Sequence, residues 1–485
     1  MTDIDVLQSL HLRLRDDLTI AVPPSLSAIT SYVLLEQEEW FEKEVNFLRC
    51  FLKPGMTAID IGSNLGVYSL PLARFVGPSG RVFAYEPGGE ARALLERSRA
   101  LNDLNNLVII AAALSDTDRD GYLATATSSE LRALGTADNG EPIRVASLDK
   151  ESAARGWSII DFIKIDAEGE EQRILAGGRA FFANQSPLVM FEVTPGSDHS
   201  EKLRAAFAST GYRVFRQLPG APILVPHDAA LPLEAYELNL FAAKPDRIAA
   251  LSRQGLLIDG FPAWGPTDAS RRNAAAFWRR QSFASLLPDA AGDTPYIDYR
   301  NSLSAYATWR SADQPAAIRC SALLTALRGL RTICAQAYTP ERASTYARVA
   351  WEWGARTESL AALRQLLQFL QQTPLVLKEA FWPASPRFDN VLPGHQPAEW
   401  FAAAAAEQVE RMSHFSTRYG GGSEFLTWLC SQQFASAEME RRRVLIAARA
   451  GLRPAVPARL CSAAPDHLNA DVWRAGRVPE TVIEA

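Results

Sequence analysis

Three ionisable side chains, Lys164, Asp166 and Glu168, fall within five positions of the run Ile159-Ile-Asp-Phe-Ile-Lys-Ile-Asp-Ala-Glu-Gly169. The apolar residues before them read as a strand, on which alternation places Phe162, Lys164 and Asp166 on one side. Gly169 then turns the chain into a helix. Opposite charges crowded at a strand end tune one another's pKa values, which acid–base work needs. The competing reading is structural: Lys164 pairs with a carboxylate, and Asp166 or Glu168 caps the following helix.

A second constellation lies a hundred residues earlier. The β-branched run Thr57 to Ile61 carries Asp60 and leads into Gly62-Ser63-Asn64-Leu65-Gly66, where the two glycines allow close backbone approach to a ligand. The next strand, Arg81 to Tyr85, ends in Glu86, placed to take the two hydroxyls of a ribose. A dinucleotide site would want G-x-G-x-x-G, because pyrophosphate must sit on an open helix N-terminus. Here that pattern is missing, and the acid before the first glycine repels phosphate but suits an ammonium group. The charge pattern therefore points to S-adenosylmethionine rather than NAD, since that ligand combines adenosine and a zwitterionic methionine end with no phosphate.

These residues need a parallel sheet to bring them together. Strands are expected at Thr57–Ile61, Arg81–Tyr85, Leu107–Ala111, Ile160–Ile165, Leu188–Val193, Tyr212–Phe215 and Glu237–Ala243, with helical patterns between several of them. The alternation implies α/β architecture, a doubly wound sheet whose carboxyl ends face a ligand crevice. Gly121–Ala124 and Ile143–Ala146 look like an inserted hairpin, residues 20 to 53 read as helix, and Asn301–Thr308 reads as a loop. Near Lys244-Pro245-Asp246 the composition shifts. Beyond it the chain is rich in Ala, Arg and Leu, keeps only Lys378 among its lysines, and holds nine of the eleven tryptophans. Those tryptophans read as packing between helices. Arg441-Arg-Arg443, next to Glu438 and Glu440, is expected to be a solvated helix face. The expected division is a helical lead-in or lid over residues 1–54, a ligand-binding domain over 55–248 and a separate α-helical domain over 249–485.

Composition narrows the partners. A net charge of -5 argues against nucleic acid, and no run approaches the length of a membrane span. The five scattered cysteines form no C-x-x-C, the histidines no metal motif, and the acidic start no signal peptide, so a cytoplasmic protein is expected.

Asp60-Ile-Gly-Ser-Asn-Leu-Gly-Val-Tyr68, Tyr85-Glu-Pro87, Ala111-Ala-Ala-Leu-Ser-Asp116, Ser147-Leu-Asp149 and Asp161-Phe-Ile-Lys-Ile-Asp-Ala-Glu-Gly169, in that order, resemble the FkbM-type methyltransferases over roughly residues 30 to 245. The resemblance implies a Rossmann-like methyltransferase fold with a seven-stranded sheet whose last strand is antiparallel. It implies S-adenosylmethionine as cofactor, with Asp60, Gly62, Ser63, Asn64 and Gly66 around the methionine end, Glu86 at the ribose, and Ala113, Leu114, Ser115 and Asp116 at the adenine. The acceptor it implies is a hydroxyl on a sugar, glycan or secondary metabolite. In-line transfer to a hydroxyl needs a positioned base. Asp166 and Glu168 are the candidates, with Lys164 holding one of them or stabilising a developing alkoxide, and Glu192 orienting the acceptor. No dedicated metal site is expected, although paired carboxylates can hold Mg²⁺. The resemblance stops near residue 250, where the helical part is expected to position a bulky acceptor or a protein partner. Two other functions fit less of the pattern: a non-catalytic nucleoside-binding scaffold, and an NAD-dependent oxidoreductase.

Overall fold

The computed structural model describes residues 9–124, 134–135, 140–287 and 296–476. The chain opens on an antiparallel hairpin, β1 (Leu10–Leu14) and β2 (Leu18–Val22), joined by a turn with Asp16 and Asp17 at φ 62° and 55°. Helices Ile29–Gln37 and Glu44–Phe51 follow. The helix expected over residues 20 to 53 is thus two shorter ones preceded by a strand. Leu10, Leu12 and Leu14 alternate with His11 and Arg13, a period-two pattern that buries the leucines on one side.

The next strands are β3 (Thr57–Ile61), β4 (Arg81–Tyr85) and β5 (Leu107–Ile110), then β6 (Ala113–Ser115), β7 (Arg119–Ala124), β8 (Leu134–Gly135) and β9 (Gly140–Ser147). The last are β10 (Phe162–Ile165), β11 (Leu188–Glu192), β12 (Arg213–Gln217), β13 (Leu224–Pro226) and β14 (Asn239–Ala243). The main sheet runs β13-β12-β14-β11-β10-β3-β4-β5. β11, β10, β3, β4 and β5 pair in parallel, and β14 runs antiparallel between β11 and β12. The expected seven strands are present, and β13 adds an eighth at the edge. β6 to β9 form a separate small sheet that contains the expected hairpin as β7 against β9.

Both faces of the main sheet are covered, which is why its strands read as continuous apolar runs. One face buries Ile59, Ile61, Phe83, Ile163, Ile165, Val189 and Phe191. The other buries Ala58, Phe162, Met190, Phe215 and Phe241 with the β1–β2 hairpin and the first two helices, and to this same cluster belong Val444, Leu445, Leu460, Val472 and Trp473 from the end of the chain.

From Pro245 onward the described residues form helices and connecting segments, among them Asp268–Arg279, Ile297–Arg310, Ala316–Gln336, Pro340–Trp353, Arg356–Gln372, Pro397–Ser413 and Ala437–Arg449. Most share a second core in which Trp309, Trp382 and Trp400 are almost wholly buried. The loop expected at Asn301–Thr308 lies inside the helix Ile297–Arg310, where Tyr299, Tyr306 and Trp309 pack inward and tertiary burial overrides weak local propensity. Arg441 and Arg442 also depart from expectation. Both are buried, not solvated. Arg442 meets Glu410, Glu438 and Glu36 at 3.2, 3.1 and 3.5 Å, and Arg441 meets Glu38 at 3.4 Å. The run of arginines is a bolt between the end of the chain and its first helix. Nearby, Glu36 accepts from the Thr417 amide, the Tyr32 and Thr417 hydroxyls lie 3.0 Å apart, and Asn469 exchanges hydrogen bonds with both backbone groups of Arg13.

Candidate functional site

The carboxyl ends of β3, β4, β10 and β11 open on a cavity of about 520 Å³. β3 leaves the sheet through Gly62, Asn64 and Gly66, all with positive φ (77°, 44° and 93°). A side chain is excluded at both glycines: a Cβ would stand 1.8 Å from the Asp166 carbonyl oxygen at Gly62 and 2.4 Å from Leu95 Cδ1 at Gly66. Gly62 therefore lets the end of β10 press against the turn. The Gly62 and Ser63 amides donate to the Tyr85 carbonyl and the Gly66 amide to that of Ser63. These bonds commit residues 62–66 to the turn, so the helix begins only at Ser69.

Glu86 joins this turn to the one after β4. Its carboxylate accepts from the Asn64 amide at 2.8 Å and the Gly88 amide at 2.7 Å. Asp60 is fully buried, and one of its oxygens accepts from the Ser69 hydroxyl at 2.5 Å. Burial pushes its carboxyl above the usual range, against the pull of Lys164 beside it in the β3–β10 register and of the Ser69 hydroxyl. Its other oxygen, Oδ1, is buried without a hydrogen-bond partner among the described residues, as are Ser63 Oγ and Asn64 Oδ1. Buried polar atoms are normally satisfied. Three orphans lining one cavity mark a place built for a polar ligand.

Lys164 donates to Asp166 at 2.5 Å and stands 4.9 Å from the Tyr68 ring centre. Burial opposes its charge, yet Asp166, Asp60 and Glu42 outweigh burial and raise its pKa above the ordinary lysine range. Glu168 has a positive φ of 48° and projects beyond β10 with much of its surface open. The partial burial of its carboxyl, with Asp166 and Glu171 close by, pushes it up to about 7. Glu192, at the end of β11, is also raised, by burial and then by Asp166 and Glu168. Four carboxyls and one ammonium thus converge as the strand ends predict, and they include a group poised to exchange a proton near neutrality.

The remaining expected residues divide. Ala113 and Leu114 line the cavity, whereas Ser115 and Asp116 do not. Ser115 is buried and donates to Glu170 at 2.5 Å, and Asp116 pairs with Arg119 at 3.2 Å.

Further residues shape the site. Glu42, in the connection between the first two helices, accepts from the Tyr68 hydroxyl at 2.6 Å and from Asn239 at 2.8 Å. Glu171 accepts from the Ala167 and Gly169 amides at 3.1 Å each and meets His199 at 2.8 Å, fixing the turn that presents Glu168. Trp40 and Phe41 close one side of the cavity, and Phe415 and Tyr419 reach it from the helical half. A smaller cavity of about 120 Å³ adjoins it, sharing Phe41, Glu42, Leu238 and Phe415. Among the described residues no group of three His, Cys, Asp or Glu side chains could hold a metal ion.

Residues 60–214 match the family described as the Methyltransferase FkbM domain. Among solved structures, the chain is similar to Methyltransferase FkbM from Methylobacillus flagellatus KT at 16% identity, over 39% of this chain and 43% of that one, with a TM-score of 0.27. It is also similar to an S-adenosylmethionine-dependent O-methyltransferase from Thermotoga maritima (17% identity, 48% and 77% coverage, TM-score 0.26). A third is Aeropyrum pernix fibrillarin in complex with natively bound S-adenosyl-L-methionine (13% identity, 49% and 84% coverage, TM-score 0.26). No curated protein matches the chain. The chain carries a Methyltransferase FkbM domain over residues 60–214, and every carboxylate lining the cavity except Glu42 lies within it.

Proposed function

We propose that this protein is an S-adenosylmethionine-dependent methyltransferase that acts on a hydroxyl of a small-molecule or glycan acceptor. The observation that carries the reading is the set of orphaned buried acceptors, Asp60 Oδ1, Ser63 Oγ and Asn64 Oδ1, in the same cavity as the Lys164–Asp166–Glu168 cluster. When bound, the cofactor supplies a methyl group on a sulfonium, open to in-line displacement. The orphans and the acid at Asp60 suit its ammonium-bearing end, and an ammonium there would offset the cost of burying that carboxylate. Glu86 holds both turns and lines the cavity at the ribose position, with Ala113 and Leu114 as the apolar wall for the base.

On the acceptor side, Glu168 takes the hydroxyl proton at its carboxylate, helped by Asp166, while Lys164 stays charged and stabilises the oxygen as negative charge develops. Glu171 holds the turn that aims Glu168. Phe41, Phe415 and Tyr419 roof the cavity, so the helical half takes part in seating the acceptor and excluding water. Calorimetry on the full chain tests the reading. S-adenosylhomocysteine should bind, NAD should not, and Asp60→Asn should weaken binding by at least tenfold. Binding of NAD with comparable affinity, or no binding of S-adenosylhomocysteine, would overturn it.

A further inference from the structure

The helices Asp268–Arg279 and Ile297–Arg310 enclose a cavity of about 470 Å³ that shares no lining residue with the methyl-transfer cavity. Its charged wall is one-sided: Arg271, Arg272, Arg279 and Arg300 face a single carboxylate, Asp268. The spacing explains the convergence. Residues 271, 272, 275, 278 and 279 share one face of the first helix, and 300, 303 and 307 share one face of the second. Beneath the arginines lies an apolar floor that includes Trp278, Leu303, Ala307 and Trp382. The floor is fixed: Trp278 and Trp382 are 3% and 1% exposed, and the Trp278 indole donates to the Phe381 carbonyl at 2.6 Å.

Two of the four arginines are accounted for. Arg271 donates to Asp268 at 2.6 Å and to Asn301 at 2.8 Å, and Arg279 has a partner of its own. The Arg272 and Arg300 side chains have no hydrogen-bond or ion-pair partner among the described residues, although the charge of Arg272, after that of Arg271, helps hold the Asp268 carboxyl low, and Arg300 Nε is buried with no acceptor. The most deeply buried arginines of the same helical core are held by acids. Arg342 meets Glu379 at 2.7 Å, and Arg348 meets Glu352 and Asp389 at 2.5 and 2.9 Å. Arg300 is half-buried, and its orphaned Nε–H costs free energy until an acceptor meets it; the planar guanidinium fork fits a carboxylate or a phosphate. The volume lies within the range of small-molecule pockets, roughly 300–1,000 Å³.

We propose that this cavity binds a small organic anion, its carboxylate or phosphate held by Arg300 and Arg272 and its flat apolar body lying on the floor at Trp278 and Leu303. The site is independent of methyl transfer, so its test does not depend on the cofactor or on activity. Titration calorimetry on the full chain with phenyl phosphate, benzoate, inorganic phosphate and benzyl alcohol separates the contributions of head group and ring. At least one aryl anion should bind tenfold or more tighter than either inorganic phosphate or benzyl alcohol, and the better of the two identifies the head group. Arg300→Gln should reduce that affinity at least tenfold, and Arg300→Lys should restore part of it, because charge returns without the fork. Arg272→Gln, at an exposed position that the fold tolerates, should reduce it about threefold or more. Affinity for both aryl anions no better than for the two controls, or unchanged in Arg300→Gln and Arg272→Gln, overturns the assignment.

Discussion

Replacing Lys164 by Met tests whether the carboxylates at the strand ends depend on one buried cation. Met keeps the length of the side chain and removes its charge. Truncating one partner of a buried ion pair typically costs about 3–5 kcal/mol. The pair with Asp166 is worth less than that, because Asp166 is 32% exposed and water can take over its share. Asp60 is fully buried and cannot be rescued in this way. We expect a loss of about 3 kcal/mol at pH 8. The loss should also depend on pH. Burial already raises the Asp60 carboxyl, and without Lys164 it rises further. A carboxyl with a raised folded-state pKa binds its proton more tightly in the folded chain than in the unfolded one. Its protonation therefore favours folding at low pH, and that benefit is lost as pH rises through the folded pKa. Lys164 itself, raised in the wild type, stabilises throughout the range below its unfolded pKa of about 10.4, so it does not reverse this trend. The destabilisation should be smaller at pH 5 than at pH 8. Urea unfolding of wild type and Lys164→Met, followed by far-ultraviolet circular dichroism at both pH values, reads the difference. A loss below about 1 kcal/mol, or the same loss at both pH values, refutes the dependence of Asp60 on Lys164.

Two further outcomes follow from the same cavity. Glu86→Ala strips the acceptor from the Asn64 and Gly88 amides and removes the ribose anchor. At about 1.5–3 kcal/mol for a charge-assisted hydrogen bond, S-adenosylhomocysteine affinity should fall roughly ten- to a hundredfold, and an unchanged value by calorimetry rejects the ribose role. If Glu168 is the base, its carboxyl at about 7 makes turnover rise with pH and level off above that value. Glu168→Gln should then lower turnover by about 10² and flatten the rise, with Asp166→Asn as companion, whereas near-normal rates in both would remove the base from this strand end.

The sheet and its charged strand ends were legible because each motif is local. A β-branched run, a glycine where the backbone must come close, and an acid at fixed spacing all lie within a few positions. Asp60, Gly62, Glu86 and Lys164 could be placed in this way. The β1–β2 hairpin was readable in principle from the alternation Leu10-His-Leu-Arg-Leu14, but five residues of period two are easily absorbed into a neighbouring helical pattern. Glu42, Phe415 and Tyr419 were not legible at all, since nothing near them in sequence records that they meet the cavity. Arg441 and Arg442 misled for a physical reason. Charges at helical spacing with Glu438 look the same on a solvated face and in a buried bolt, and only Glu36 and Glu38, some four hundred residues away, distinguish the two.

The junction of Asn469 with Arg13 spans 456 positions, and it sets the order in which the molecule can be completed. At about 5–20 residues per second, a ribosome needs roughly 20–90 s to travel from one to the other. Through most of that interval the buried Glu36 and Glu38 lack Thr417, Arg441, Arg442 and His467, and the first core lacks Val444, Leu445, Leu460, Val472 and Trp473. The nascent chain must wait with an open apolar face and two unpaired acids, a state that invites chaperones or association with other chains. The helices Ala437–Arg449 and Ala470–Arg474 close that face only once they have been made. A chain truncated before Ala437 would keep every charged strand end of the cavity and leave its first core unsealed.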